Sequence, residues 1–95
     1  MPDGRPLLLF FTSPHSGPAR RMESLLAHIA RKERHRLRFA QVDLESRPDL
    51  AAKLAVAFAP TLVLVHEGKP VARLEGRASA PRIEAMLEDH LALVA

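Results

Sequence analysis

The 95-residue chain contains no cysteine. That excludes disulfide bridges, zinc–thiolate sites, iron–sulfur clusters and any exchange chemistry carried by a thiolate. Tryptophan and tyrosine are missing as well, so four phenylalanines and many Leu, Val and Ala residues must fill the interior. Long apolar runs are also absent. The run near the start, 7–11, has five residues, too few for a signal-peptide core or a membrane span. The expectation is a cytoplasmic protein with no membrane association. Strong charge of one sign is lacking too. The net charge is +3, from 14 Lys and Arg against 11 Asp and Glu. Arginines lie along most of the chain, so the basic balance alone does not point to nucleic acid.

What is present describes one α/β domain over residues 1–95. Leu7, Leu8, Leu9, Phe10 and Phe11 form a continuous apolar run between Pro6 and Thr12-Ser13-Pro14, the pattern of a fully buried strand. A helix over about 17–34 follows, with Ser16 as N-cap and Pro18 in its first turn. Met22, Leu25, Leu26 and Ile29 recur at helical spacing and mark its buried face. A second strand is expected over 37–44. Ser46 is expected to cap a short helix, with Asp49 three residues on in a capping-box position. Phe58-Ala59-Pro60 should break that helix. A third strand over 61–65, a turn at Glu67-Gly68-Lys69 and a fourth strand over 71–75 make a hairpin. Pro70 suits an edge strand. After Gly76, Ser79 is expected to cap a last helix lined by Ile83, Met86, Leu87 and Leu91. The order is β-α-β-α-β-β-α. Right-handed crossover makes the first two strands parallel, and the hairpin adds antiparallel pairing.

This order and its punctuation residues resemble the thioredoxin family over nearly the whole chain. The segment from Leu7 through Phe11, Pro14, His15-Ser16-Gly17-Pro18-Ala19 and Met22 looks like the family's buried strand, active-site loop and following helix. Ala59-Pro60-Thr61 resembles its cis-proline loop, and Gly76 precedes the last helix as in the family. Ser16, Pro48, Pro60 and Gly76 are separated by 32, 12 and 16 residues, in the family's register. The resemblance implies a thioredoxin-like four-stranded mixed sheet with three helices. It also implies that the N-terminal strand and helix of full thioredoxins are absent. A cis bond at Pro60, facing residues 15–18, is implied on the same ground.

The departures bear on chemistry. Ser16 stands at the family's nucleophilic cysteine, Ala19 at its resolving cysteine and His15 at its usual tryptophan. Phe10 takes the place of a buried acid, and Gln41 that of a lysine partnering it. Serine is no substitute for a thiolate. Its hydroxyl ionises near the pKa of water, about 15.7. Ionisation at pH 7 would need roughly nine pK units, about 12 kcal/mol. A helix N-terminus contributes ~0.3–2 kcal/mol. His15 adjoins Ser16 but has no evident acid to orient it. Ser16 therefore reads as a cap, and no catalytic residue is expected.

The leading reading is a redox-inactive thioredoxin-like domain acting as a protein-interaction or chaperone-like module. The runner-up is a thioredoxin-type thiol–disulfide oxidoreductase relative, or an engineered cysteine-less form, whose CxxC motif is replaced by Ser16-Gly-Pro-Ala19. The expected partner is a protein or extended peptide at Ala59, Pro60, Thr61 and Gly76, by strand addition. A homodimer through an exposed edge at 37–44 is a further expectation. Arg20 and Arg21 read as solvated surface rather than an anion site. The basic run at 31–38 lacks an aromatic platform, which disfavours nucleic acid. The five histidines show no metal-ligand spacing, so neither metal nor cofactor is expected.

Overall fold

The apolar run 7–11 sits at the centre of the sheet, and its burial explains its composition. In the computed structural model, which describes residues 4–91, β1 (Leu7–Thr12) is flanked by β2 (Arg38–Asp43) and β3 (Thr61–His66). Leu8, Phe10 and Phe11 are fully buried, so both faces of β1 need apolar side chains. The sheet order is β2-β1-β3-β4, with β4 spanning Lys69–Glu75. β1 and β2 are parallel, while β3 runs antiparallel to both β1 and β4.

The helices are α1 (Gly17–Lys32), α2 (Pro48–Lys53) and α3 (Ala80–Leu91). One face of the sheet packs Leu8, Phe10, Leu62 and Leu64 against Met22, Leu26 and Ile29 of α1 and Ile83, Leu87 and Leu91 of α3. The other face packs Leu9, Phe11 and Val63 against Ala51 of α2 and Val56. Burial of such side chains contributes about 1.5–3 kcal/mol each. Lys32 meets Glu84 at 2.9 Å, and Arg36 meets Glu88 at 3.1 Å, so two ion pairs tie the end of α1 and the turn after it to α3. No helix among the described residues is long and apolar enough to cross a membrane.

Four local expectations need correction. α2 is not capped by Ser46. Its N-cap is Arg47, which makes no side-chain capping bond. Asp43 organises this turn instead: its carboxylate accepts the Glu45 N–H at 2.9 Å, and its carbonyl accepts the N–H groups of Ser46 and Arg47. Nor does Phe58-Ala59-Pro60 end α2. The helix stops at Lys53, and Ala55 turns left-handed at φ 56°. The Val56 N–H returns to the Ala51 carbonyl and the Ala55 N–H to that of Ala52. That pair of bonds is a Schellman motif built without glycine. Arg73 reinforces it from β4 by donating to the carbonyls of Leu54 and Ala55. The hairpin turn is tighter than expected. His66 pairs with Lys69, leaving Glu67 (φ 54°) and Gly68 (φ 78°) as a two-residue turn of the kind that fits strand twist. Finally, Ser79 does hold the N-cap position of α3, its carbonyl accepting the Ile83 N–H, but its hydroxyl makes no capping hydrogen bond among the described residues.

Candidate functional site

The site is built where β1 ends and α1 begins. Ser13 closes the connecting turn: its carbonyl accepts the Ser16 N–H at 3.1 Å and its hydroxyl accepts the His15 N–H at 3.2 Å. Ser16 then adopts an extended conformation, with φ −104° and ψ 107°, and its hydroxyl accepts the Ala19 N–H at 3.1 Å. This is an N-cap, satisfying a backbone donor that the helix leaves unpaired. Ala19 is fully buried beneath it. Gly17 is exposed and Pro18 half-buried.

The second half of the site comes from the start of β3. The Ala59–Pro60 peptide is cis. Pro60 is buried, and its carbonyl accepts the Gly76 N–H at 2.8 Å. Thr61 is 1% exposed, and its hydroxyl donates to the Phe58 carbonyl at 2.7 Å. Gly76 has φ 81°, a left-handed conformation that suits glycine.

One contact joins the halves. The Ser16 hydroxyl donates to the Ala59 carbonyl at 3.4 Å, across 43 residues of sequence. Ser16, Ala59, Pro60, Thr61 and Gly76 are therefore gathered at one end of the sheet. His15 is not drawn in. Its side chain is 80% exposed, and its Nε2 stands 3.7 Å from Glu45. Nothing in that geometry sets His15 to take a proton from Ser16, whose hydroxyl hydrogen faces Ala59.

Beneath the loop the chemistry is apolar. Phe10 is fully buried and pairs in register with Gln41 of β2 and Leu62 of β3. Gln41 is exposed. No acid or base occupies these positions to move a proton. Thr12, at the end of β1, is buried with its hydroxyl unpartnered among the described residues. No group of three His, Asp or Glu among the described residues is arranged to hold a metal.

Two features escaped the sequence reading. Phe58 is 47% exposed beside the Ala59–Pro60 loop. An aromatic residue two positions before the proline was the available signal. The second is the engagement of the Ala59 carbonyl by Ser16, a long-range contact with no local sequence signature.

A mixed sheet with a helix start facing a proline loop defines a thioredoxin-like fold. The comparisons name the family: the thioredoxin sequence profile matches residues 2–89, and the chain belongs to the thioredoxin family. The bifunctional thioredoxin reductase/thioredoxin of Mycobacterium leprae is 32% identical over 72 residues, covering 76% of this chain and 16% of that protein. The thioredoxin of Alicyclobacillus acidocaldarius is 29% identical over 87 residues, covering 92% of this chain and 83% of that one. Among solved structures, Fasciola hepatica thioredoxin superimposes with a TM-score of 0.84 at 28% identity, covering 93% of this chain and 83% of its own. Thioredoxin NaTrxh of Nicotiana alata gives a TM-score of 0.85 at 25% identity, covering 93% and 75%.

Proposed function

We propose that this chain is a redox-inactive thioredoxin-like domain that acts as a protein-interaction or chaperone-like module. The observation that carries the reading is the state of the Ser16 hydroxyl. It accepts from Ala19 and donates to Ala59, in a chain without a sulfur nucleophile. A capping hydroxyl is neither ionised nor free to attack. What the loop retains is backbone. The Ala59 N–H makes no hydrogen bond among the described residues, and exposed Phe58 adjoins it. An extended peptide lying along this loop gains a main-chain hydrogen bond from the Ala59 N–H and apolar contact from Phe58. A cytoplasmic location belongs to the same reading, and cell fractionation checks it.

The test has two arms. In insulin-disulfide reduction with dithiothreitol, the protein should add nothing to the background rate. In a binding assay, reduced and S-carboxymethylated lactalbumin should bind, because that probe is unfolded and has no thiol. Turnover above background overturns the redox-inactive reading. Failure to bind the unfolded probe overturns the interaction reading.

A homodimer through β2 is part of the proposal, and the two sheet edges supply its support. β4 carries Pro70 and, opposite Leu64 and Val65 of β3, an extra residue at Val71 that breaks the register, devices that protect an edge. β2 has regular register and no proline. The N–H groups of Arg38 and Leu44 point toward β1. By alternation, those of Phe39, Gln41 and Asp43 point outward. Gln41→Pro would delete one outward donor and leave the β1 ladder intact. Light scattering at high concentration should show a dimer that Gln41→Pro reduces to a monomer. A wild-type monomer contradicts the pairing.

A further inference from the structure

A groove of about 380 Å³ lies between α1 and the β4–α3 connection. Pro18, Met22, Leu25 and Ala78 give it apolar walls, and the exposed Arg21 and Arg77 border it. Ser16 and Ala59 do not line it.

The charge on this groove is unbalanced. Lys32, Arg36, Arg47 and Arg73 each face a carboxylate. Arg21 and Arg77 have neither an ion pair nor a side-chain hydrogen bond among the described residues. No acidic residue lines the groove, and the first turns of α1 and α3 contain none. The Arg21 head folds back along the helix start, so close that a Cβ at Gly17 would come within 3.3 Å of it. The exposed guanidinium thus lies at the start of α1, where the neighbouring Pro18 forms part of the groove wall.

We propose that this groove docks an acidic peptide segment of a partner protein, one that places a bulky apolar side chain between carboxylates. The apolar walls take the side chain out of water. The arginine forks match carboxylates in a planar, two-point geometry. Phosphate would also suit the arginines, but the walls offer no aromatic face on which a base could stack. The groove goes beyond strand addition at Ala59 and does not rest on it.

Fluorescence anisotropy of the full chain provides the test. The probe is a labelled hexapeptide, Glu-Glu-Leu-Phe-Glu-Glu. Controls are the same peptide with lysine flanks and a single-stranded oligonucleotide. The acidic probe should bind at low ionic strength and weaken as salt shortens the screening length. R21A/R77A should weaken it about fivefold, the product of two exposed ion pairs of ordinary strength. R31A/R34A removes the same charge at the far end of α1 and should change affinity less than twofold. All four arginines are exposed, so both double variants should fold. Equal loss in the two variants, equal binding of the lysine-flanked peptide, or no binding of the acidic probe overturns the proposal. Competition by the oligonucleotide through Arg21 and Arg77 overturns it in favour of phosphate. Binding of unfolded lactalbumin by R21A/R77A would show that the Ala59 reading stands or falls separately.

Discussion

Replacing Ser16 by alanine separates a structural hydroxyl from a chemical one. The hydroxyl makes two bonds: a 3.1 Å acceptance from Ala19 and a 3.4 Å donation to Ala59. Loss of an N-cap typically costs about 1 kcal/mol, within roughly 0.5–2. The second bond is near the long limit and adds only a few tenths. Ser16→Ala should therefore destabilise the fold by about 1–1.5 kcal/mol. For a domain this size that lowers the melting temperature by roughly 5–10 °C. Urea unfolding followed by circular dichroism should show a lower midpoint with an unchanged slope. Ser16→Asp keeps the acceptor, loses the donor and adds a charge that a helix start favours. It should stay within about 0.5 kcal/mol of wild type. Binding of unfolded lactalbumin should survive in Ser16→Ala, because the Ala59 carbonyl is then released. A loss below about 0.3 kcal/mol would refute the capping role. If Ser16→Asp fell as far as Ser16→Ala, the bond to Ala59 would be the dominant one. Lost binding at retained stability would give the hydroxyl a direct role in recognition.

Two further outcomes follow from local geometry. Ala55 holds φ 56°, where a Cβ is disfavoured. Ala55→Gly should stabilise by roughly 0.5–1 kcal/mol after the greater freedom of glycine in the unfolded chain is subtracted; a lower urea midpoint would contradict the strain. The Asp49 carboxyl is held below its ordinary value, first by the hydrogen bond from the Arg47 side chain and then by that from the Leu50 backbone. Its folded value lies below its unfolded one, so its contribution is present above the unfolded pKa and lost as pH falls through the folded value. Arg47→Ala should raise the Asp49 pKa in a carbon-detected NMR titration, and an unchanged value would remove the guanidinium as the cause.

The elements whose signal is periodic were legible in the sequence. The apolar run 7–11 and the spacing of Met22, Leu26 and Ile29 reflect burial against the sheet, which acts on every residue of a face. Ser16 was legible as a cap because capping is a local bond. The misreadings arose where two local rules competed. Ser46 and Asp49 match a capping box, but the Asp43 carboxylate reaches the Glu45 N–H first, and Pro48 opens the helix behind Arg47. The end of α2 was hidden because its left-handed residue is alanine. The compensation comes from Val56, which is buried with Ala51, and from Arg73, 18 residues on from Ala55. The Ser16–Ala59 bond and the groove at Arg21 and Arg77 bring together residues from distant segments. Only the folded chain places them side by side.

The most direct measurement is an amide NMR titration of the ¹⁵N-labelled protein with S-carboxymethylated lactalbumin. Shifts concentrated on residues 15–17, Ala19, Phe58, Ala59, Thr61 and Gly76 are the predicted result. Shifts confined to other surfaces, or none at saturating probe, would contradict recognition by the loops that carry Ser16 and Ala59.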